Sequence, residues 1–411
     1  MQTPDKPSGV TEGNRHRVLL LTLLLGGYTM LGPFSISTYM PFFPELAEGL
    51  AASPDAVQQS LSAYLAAFGF MLLFHGPLSD AFGRRPVILI GLLVFVVASF
   101  GAALSTSIEV LVAFRVLQGL SAGAGSIAGR AVARDLFEGA QAQRLFSHIA
   151  MIFAIAPAVA PVFGGWLHQA FPWQSVFTFL AVFALIQLIA SYFFLPESLA
   201  RDQRDSLRPA GLIKRYLSVG RNARFWLLTL ALSGNFAAFF LYIAAAPEFV
   251  RTTLGLGPNQ FGWLFIPAMS GVMLGAFLSG RAAKRFGPQR TVRMGYAVMA
   301  VAVALSVGYN LTQPPNVPWA IAPIAIYTTG MAMATPSITL LTLDLFSSMR
   351  GLVSSMQGFA QTMLMTIVSA FLAPALAGSG AALAWGNLGL MVVGAAGWIA
   401  YEFAKRRQER A

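Results

Sequence analysis

The 411-residue sequence has no cysteine and little charge, since Asp, Glu, Lys and Arg together make up only 10% of it. Without cysteine the chain can form no disulfide, haem-thiolate or zinc-thiolate site, although this absence does not indicate a compartment. A soluble domain carries about 25% charged residues, so this chain lacks the polar surface that would keep a globule of its size in water. With 56% hydrophobic residues and a mean hydropathy of +0.66, it is predicted to be a membrane protein.

The apolar residues are grouped in runs of about 20, the length of helix that crosses a bilayer core of about 30 Å. Outer-membrane strands would instead show segments of about ten residues with alternating hydrophobicity. We therefore predict an all-α membrane protein with twelve transmembrane helices, at residues 18–41, 57–79, 86–106, 108–132, 146–170, 172–195, 224–246, 259–281, 290–310, 317–340, 350–374 and 382–403.

The basic residues indicate the orientation, because Lys and Arg remain in short cytoplasmic loops. With the N-terminus inside, every Lys and Arg except Arg115 and Arg251 lies in a predicted cytoplasmic segment. The formal net charge of +11 therefore reflects topology, and no nucleic-acid partner is expected. Residues 1–17 are too polar for a cleavable signal, so the first apolar run is expected to remain as a helix. Both termini are predicted to be cytoplasmic.

The long polar stretch in the middle of the chain divides the twelve helices into two sets of six. The halves also echo each other, because "GPLSDAFGRR" at Gly76 and "GRAAKRFGPQR" at Gly280 follow the second helix of each half. Two parallel six-helix repeats around a central cavity are predicted. The predicted segments are a tail at 1–17, a bundle at 18–195, a linker at 196–223, a second bundle at 224–404 and a tail at 405–411.

Four stretches of this chain match motifs of one transporter family. They are "GPLSDAFGRRP" at 76–86, "RVLQG" at 115–119, "APAVAPVFGGWL" at 156–167 and "LPES" at 195–198. On these motifs the chain resembles the major facilitator superfamily, and within it the bicyclomycin-resistance and chloramphenicol-efflux family of drug:proton antiporters. The resemblance implies a monomeric carrier of small molecules and protons in the bacterial inner membrane, with no cofactor and no metal site.

The loop motif is interpreted as a cytoplasmic gate. Gly83 can adopt the positive φ of a tight turn, and Gly76 can admit a close helix neighbour. Asp80 is predicted to accept hydrogen bonds from helix amides or from an arginine across the bundle interface. Arg84 and Arg85 complete the gate or, alternatively, anchor the loop at the lipid headgroups. The family places an arginine at the position of Ala81, so one bond of its usual latch is missing here.

The fifth helix carries Pro157, Pro161, Gly164 and Gly165. Proline loosens the backbone ladder of a helix and glycine permits close packing. The resemblance implies a hinge and seal between the two halves, whereas the alternative is ordinary Gly and Pro content of a membrane helix.

Arg115 lies inside an apolar run, and an ionised arginine at that depth needs an aqueous cavity or a partner. Gln118 lies one turn later on nearly the same face. The alternative is that Arg115 snorkels to the outer headgroups. A substrate cavity is predicted from polar and aromatic groups on the inner helices, although for any single aromatic residue simple packing is the competing interpretation. The predicted lining is Arg115, Gln118, Ser37, Tyr39, Tyr64, Asn235, Phe239, Gln357 and Gln361.

The first helix departs from the family pattern at one important position. The family resemblance implies D-x-Y-x-P with a proton-binding aspartate, but "STYMP" places Ser37 there, and a hydroxyl does not titrate near neutrality. Glu248 and Glu45 are the candidate coupling acids, and Glu248 is the preferred one. The alternative for Glu248 is that it lies in outer solvent and pairs with Arg251.

The sequence is compatible with three functions. The favoured one is a multidrug exporter of the inner membrane that works by alternating access and is driven by protons. The others are a facilitator or importer of a small anionic metabolite, with Arg115 as the anion site, and a transporter-shaped receptor without net flux. An enzyme is not expected, because the four histidines are scattered and no nucleophile, base and orienting group can be assembled.

Overall fold

The computed structural model describes residues 15–204 and 209–410, and this part of the chain contains helices and irregular segments but no strand. Eleven helices are long and apolar enough to cross a membrane, and the bent pair Pro54–Leu72 and His75–Phe82, with an angle of 48°, forms the twelfth span. The prediction of an all-α membrane protein with twelve spans is confirmed. Most of the predicted tail at 1–17, part of the predicted linker and Ala411 lie outside the described residues.

The spanning helices are numbered in chain order. They are α1 (Arg15–Ser37), α2 (Pro54–Leu72), α3 (Arg84–Ala103), α4 (Ile108–Leu136), α5 (Gly139–Ala170), α6 (Gln174–Phe194), α7 (Ala223–Ala244), α8 (Gly262–Phe286), α9 (Pro288–Thr312), α10 (Ala322–Asp344), α11 (Arg350–Ile367) and α12 (Gly380–Arg410). Shorter helices lie between them at Met40–Phe42, Phe43–Gly49, His75–Phe82, Arg201–Gln203, Pro209–Gly220, Ala246–Glu248, Phe249–Thr253, Pro258–Gln260, Val368–Leu372 and Ala373–Leu376.

Several helices extend beyond the apolar runs that predict them. Helix α5 begins at Gly139 instead of 146, and α12 continues to Arg410 instead of 403. Hydropathy marks only the part of a helix in the hydrocarbon, whereas the backbone hydrogen bonds continue into the headgroup region where polar side chains are solvated.

The predicted linker contains a helix of its own, Pro209–Gly220, which the sequence did not predict. Ile213 and Leu217 on this helix are exposed, whereas Tyr216 turns inward and donates a hydrogen bond of 2.6 Å to the Leu73 carbonyl at the end of α2. Burial raises the pKa of Tyr216 to about 12, so its hydroxyl remains a donor at physiological pH. The linker helix is thereby fixed to the first bundle.

The two halves pack with the same internal order. In the first, α3 and α6 contact each other and α4 packs on α2 and α3; in the second, α9 and α12 contact each other and α10 packs on α8 and α9. Likewise α1 contacts α5, and α7 contacts α11. The halves meet where α2 lies against α11 and where α5 lies against α8, two interfaces related by the same repeat. The fold is therefore two pseudo-symmetric six-helix bundles.

Glycine supports this packing where backbones approach closely. A Cβ at Gly119 on α4 would meet the Tyr64 carbonyl of α2, and one at Gly271 on α8 would meet the Ala325 carbonyl of α10. In lipid, where apolar burial between helices gives little driving force, such small residues allow the van der Waals contact that holds helices together.

Candidate functional site

Arg115 lies in the interior of the first bundle. The helix that carries it, α4, begins after Ser107, whose side chain caps the first turn by accepting a hydrogen bond from the Val110 amide. At 1.5 Å per residue Arg115 is about 10 Å from the start of α4. Its side chain is fully buried, with 0% exposure. The arginine therefore does not snorkel to the headgroups.

Hydrogen bonds hold the guanidinium from two sides. Nη1 donates to Gln118 Oε1 at 2.8 Å, and Nη2 donates to the Ser35 carbonyl of α1 at 2.9 Å. The amide of Gln118 in turn donates through Nε2 to Ser99 Oγ of α3 at 2.7 Å. Arg115 and Gln118 therefore bond directly, and the bond to Ser99 fixes which end of the amide faces the cation.

Aromatic rings cover the faces of the same guanidinium. Its central carbon lies 4.5 Å from the ring centroid of Tyr39, 4.4 Å from that of Tyr64 and 6.0 Å from that of Phe177. These distances fall within the range of cation–π attraction. Arg115 Nε and the Tyr64 hydroxyl are buried and have no hydrogen-bond partner among the described residues. We call Arg115, Gln118, Tyr39 and Tyr64 the arginine cage.

The arginine cage contains no acid. No Asp or Glu of residues 15–204 and 209–410 lies within ion-pair distance of Arg115. Ser37, which stands at the position of the family aspartate, is also buried. A buried charge normally needs a carboxylate or a full set of hydrogen bonds, so here the rings, one amide and one carbonyl replace the missing counter-ion.

The predicted cavity residues of the second half lie elsewhere. Asn235 and Phe239 are buried within the second bundle, where Tyr327 donates to the Asn235 carbonyl at 3.1 Å. Gln357 of α11 donates to Thr342 Oγ1 of α10 at 3.2 Å, and Gln361 is half-buried on the next turn. The structure brings together the four residues of the arginine cage, whereas it places the predicted residues of the second half in that half's own packing.

The loop motif forms an ion network around Arg84. This buried side chain donates to Ser79 Oγ at 2.8 Å, bonds Asp80 and reaches Asp135 Oδ2 at 3.4 Å. Asp80 therefore binds the arginine four residues later, whereas the sequence predicts a helix amide or an arginine across the bundle interface. Asp80 lies in the short helix His75–Phe82 and Arg84 begins α3, so the tight turn at Gly83 brings the two side chains together.

The end of α6 completes this network. The Arg84 amide donates to Glu197 Oε1 at 3.0 Å, and Arg204 lies 3.6 Å from the same carboxylate. Gly83 has the predicted positive φ, +105°, and a Cβ there would meet Glu197 and Arg204. Gly76 differs from the prediction, because a Cβ there would meet nothing within 4 Å. Arg85 points to α6 and donates to the Tyr192 carbonyl at 2.7 Å.

The glycine pair of α5 lies at a close contact between elements. A Cβ at Gly164 would meet the Thr38 carbonyl after α1, and one at Gly165 would meet the Pro258 carbonyl in the other half. Pro161 is buried one turn earlier, and Pro157 is half-buried. The contact at Gly165 places this motif on the boundary between the bundles.

The two candidate coupling acids have different surroundings. Glu45 lies in the short helix Phe43–Gly49, and its Oε1 is 2.8 Å from Nε2 of His168 near the end of α5. The ring of Phe42 packs 4.9 Å from the imidazole centroid. Glu248 is exposed, and within the described part of the chain it forms no ion pair with Arg251. The sequence did not pair Glu45 with His168, because only the fold-back of Phe43–Gly49 brings them together.

Comparisons with known proteins match most of the chain. The family model of the Major Facilitator Superfamily matches residues 25–370. A bicyclomycin resistance protein homolog of Haemophilus influenzae is 29% identical over 279 residues, which are 68% of this chain and 70% of that one. A chloramphenicol resistance protein of Pseudomonas aeruginosa is 29% identical and covers 78% of this chain and 75% of its own. Multidrug resistance protein D of Escherichia coli is 29% identical, with coverages of 84% and 86%.

A solved structure supports the fold. The crystal structure of a bacterial homolog of the human lysosomal transporter Spinster, in an inward-facing and occupied conformation, matches with a TM-score of 0.74. It covers 97% of this chain and 98% of its own at 15% sequence identity.

Proposed function

The chain belongs to the major facilitator superfamily, and on that premise we propose that it exports small amphipathic compounds across the bacterial inner membrane by alternating access, driven by protons. Members of this superfamily are transporters and not enzymes. The drug-resistance names of the relatives support the substrate class. The observation that carries the proposal is the boundary between the bundles, because it consists of contacts that can open without unfolding either bundle.

Polar contacts at the boundary are few and individually weak. Gln58 of α2 donates to Ser369 Oγ at 3.1 Å and to the Ser369 carbonyl at 3.2 Å, and Gln59 donates to the Ala370 carbonyl at 3.0 Å. Each such bond contributes about 1 kcal/mol net. The close approach of the Pro258 backbone to Gly165 is a van der Waals contact and adds no hydrogen bond. Substrate binding supplies free energy of this size, so it can shift the population between two arrangements of the bundles.

The proton site of this proposal is Glu45, with His168 as its partner. Glu45 is preferred over Glu248, which the sequence favours, because the imidazole of His168 gives its charge a specific contact, whereas Glu248 is exposed. Protonation removes the charge of Glu45 and weakens its bond to His168 on α5, close to the glycine pair at the bundle boundary. The proton is thereby linked to the seal between the halves. The arginine cage, which has no acid, does not exchange protons in this scheme.

The proposed orientation places both termini and the linker in the cytoplasm. A membrane-impermeant thiol reagent tests it directly, because the natural chain has no cysteine. Ser53→Cys precedes α2 and Ser218→Cys lies on the linker helix, and both positions are exposed. In intact cells Ser53→Cys is expected to react and Ser218→Cys to remain unlabelled. The reverse pattern would invert the orientation.

Drug efflux tests the proposed function itself. An exporter-deficient bacterial strain would produce the natural chain or Gly165→Leu, which blocks the boundary, at matched membrane levels. The natural chain should lower intracellular accumulation of chloramphenicol or of a cationic dye and raise resistance, and Gly165→Leu should lose both effects. Equal accumulation in cells with the natural chain and with an empty vector, across a panel of amphipathic drugs, would reject export.

A second function is favoured by one observation: among the described residues no carboxylate lies within ion-pair distance of Arg115. A guanidinium without a carboxylate partner can bind a carboxylate or phosphate ligand, so the alternative is a facilitator of small organic anions. Proteoliposomes loaded with radiolabelled benzoate separate the two. Protein-dependent benzoate efflux without a pH gradient, together with no drug transport, would favour the facilitator.

A further inference from the structure

A groove outside the proposed transport path runs between α3 and α6 on the lipid-facing side of the first bundle. Its volume is about 310 Å³, which falls in the range of about 300–1,000 Å³ typical of ligand pockets. Ile90, Leu93 and Phe193 in its wall are 62%, 52% and 71% exposed. The full lining is Leu89, Ile90, Leu93, Leu188, Ile189, Tyr192 and Phe193. Since the chain spans a bilayer, hydrocarbon is the medium that faces this groove.

A cation lies at one end of the groove. The guanidinium carbon of Arg85 is 5.6 Å from the ring centroid of Tyr192, and Nη2 donates to the Tyr192 carbonyl at 2.7 Å. That carbonyl belongs to the last turn of α6, where helix carbonyls lack an intrahelical partner. The contact therefore fixes the direction of the side chain, with the guanidinium beside the groove wall.

Within the described part of the protein the guanidinium of Arg85 contacts the ring and carbonyl of Tyr192 but no acid. No carboxylate of these residues lies within ion-pair distance of it, and its Nε is buried without a hydrogen-bond partner. Its neighbour Arg84 differs completely, since Arg84 is bound by Asp80 and Asp135. Two consecutive arginines thus have two environments, one neutralised inside the protein and one unpaired at an apolar groove.

We propose that this groove binds one acyl chain of an anionic phospholipid, whose phosphate is held by Arg85. The dimensions fit one leaflet. Arg85 is in the first turn of α3, at the level of the headgroups, and Leu93 lies about 12 Å further along the helix, within the roughly 15 Å of half a hydrocarbon core. Basic pockets between membrane helices bind acidic headgroups in the same way. The site lies on the lipid side of α3 and α6, so lipid bound there stabilises the contact of these two helices.

Native mass spectrometry of the full chain in detergent tests this site. The protein would be titrated separately with dioleoyl phosphatidylglycerol and with dioleoyl phosphatidylcholine, and the first bound lipid would be counted. One basic residue near a membrane surface contributes about a fivefold preference for anionic lipid, so phosphatidylglycerol should bind about five times more tightly. Arg85→Gln should abolish this preference, whereas Leu93→Trp, which fills the groove, should reduce binding of both lipids.

A matched control separates the site from general charge. Arg290 is exposed in the first turn of α9, the repeat counterpart of α3, and Arg290→Gln removes the same charge without touching the groove. It should leave lipid preference unchanged. An equal loss of the preference for phosphatidylglycerol in Arg85→Gln and Arg290→Gln would overturn the proposal. Equal binding of the two lipids by the natural chain would overturn it as well. A protein dimer that Leu93→Trp breaks and that lipid does not displace would assign the groove to a second copy and also overturn it. Monodisperse elution of each variant confirms that it is folded.

Discussion

The two bundles leave their second helix by the same backbone turn, but they surround it with different charges. Gly83 and Gly287 both have positive φ, +105° and +79°, and both connect helices of matching position. Around Gly83 lie Glu197 and Arg204, whereas a Cβ at Gly287 would meet nothing within 4 Å. The position of Asp80 is taken by Lys284 in the second half. The repeat therefore preserves the turn, and the ion network is an addition of the first half.

The interiors of the bundles differ in the same sense. The first contains a buried cation in the arginine cage, whereas the second uses neutral bonds, such as Thr328 Oγ1 to the Ala268 carbonyl at 2.8 Å and Asn387 Nδ2 to the Ala238 carbonyl at 2.9 Å. Neutral hydrogen bonds hold helices together but provide no electrostatic preference for a charged substrate. We propose from this difference that the first bundle discriminates substrates by charge, and the following changes test the proposal.

The largest effect is expected from Arg115→Met. Methionine keeps much of the volume but removes the charge, so drug transport should fall at least about tenfold, equivalent to about 1.4 kcal/mol. Thermal stability in detergent should remain or rise, because a buried charge without a carboxylate is costly to desolvate. Arg251→Met, which removes an exposed arginine of the second half, is the control and should transport normally. Unchanged transport by Arg115→Met would remove the cage from the mechanism.

The next effect is expected from Ser37→Asp, which supplies the acid missing from the cage. The new carboxylate should neutralise Arg115, strengthen the dependence of transport on pH between 6 and 8, and weaken binding of anionic substrates about tenfold, the value of one charge-assisted hydrogen bond. The control Ser37→Asn has nearly the shape of the aspartate variant without its charge. It should change neither the pH dependence of transport nor the binding of anionic substrates. Transport rates and benzoate binding measured in both variants test this prediction. Identical pH profiles of Ser37→Asp and Ser37→Asn would count against this account of the cage.

The shared turn is tested by glycine replacement. Gly83→Ala and Gly287→Ala should each lose about 1–3 kcal/mol from a backbone conformation that other residues rarely adopt. Gly83→Ala should lose more, because its Cβ also displaces Glu197 and Arg204. Gly76→Ala, in open space within a helix, should be close to neutral. Melting temperatures of the three variants give the order, and a larger loss at Gly287 would contradict it.

The smallest effect is expected from Asp80→Asn. The Asp80 side chain is 47% exposed, and such surface pairs contribute at most about 1 kcal/mol, so stability should change little. Arg84 keeps Ser79 and Asp135, but its weaker hold on the loop should shift the population of transport states toward the inward-facing one. Spin-label distances between the cytoplasmic faces measure the shift, with Lys284→Gln as the counterpart in the second half. Identical distance distributions would reduce Asp80 to a solvated loop acid.

The sequence predicted the twelve spans because hydropathy reports length in the bilayer. It also placed Arg115 and Gln118 on nearly the same helix face and required an aqueous cavity or a partner for the arginine. The ring of Tyr64 comes from α2 and that of Tyr39 from the turn after α1, so only the packing of these elements on α4 reveals the cage. The same limit applies to the partners of Asp80 and Glu45. Arg84 is close to Asp80 in the sequence. Whether Asp80 binds Arg84 or an arginine across the bundle interface depends on how the loop folds.

Proton coupling through Glu45, without an acid beside Arg115, is the central claim and can be measured in proteoliposomes with an internal pH dye. Chloramphenicol added to vesicles containing the natural chain should drive a protein-dependent proton flux. The flux should disappear in Glu45→Gln and persist in Glu248→Gln, because only Glu45 is paired with His168 at the bundle boundary. Drug-dependent proton flux that survives in the double variant Glu45→Gln with Glu248→Gln would contradict the claim and place the coupling site elsewhere in the protein.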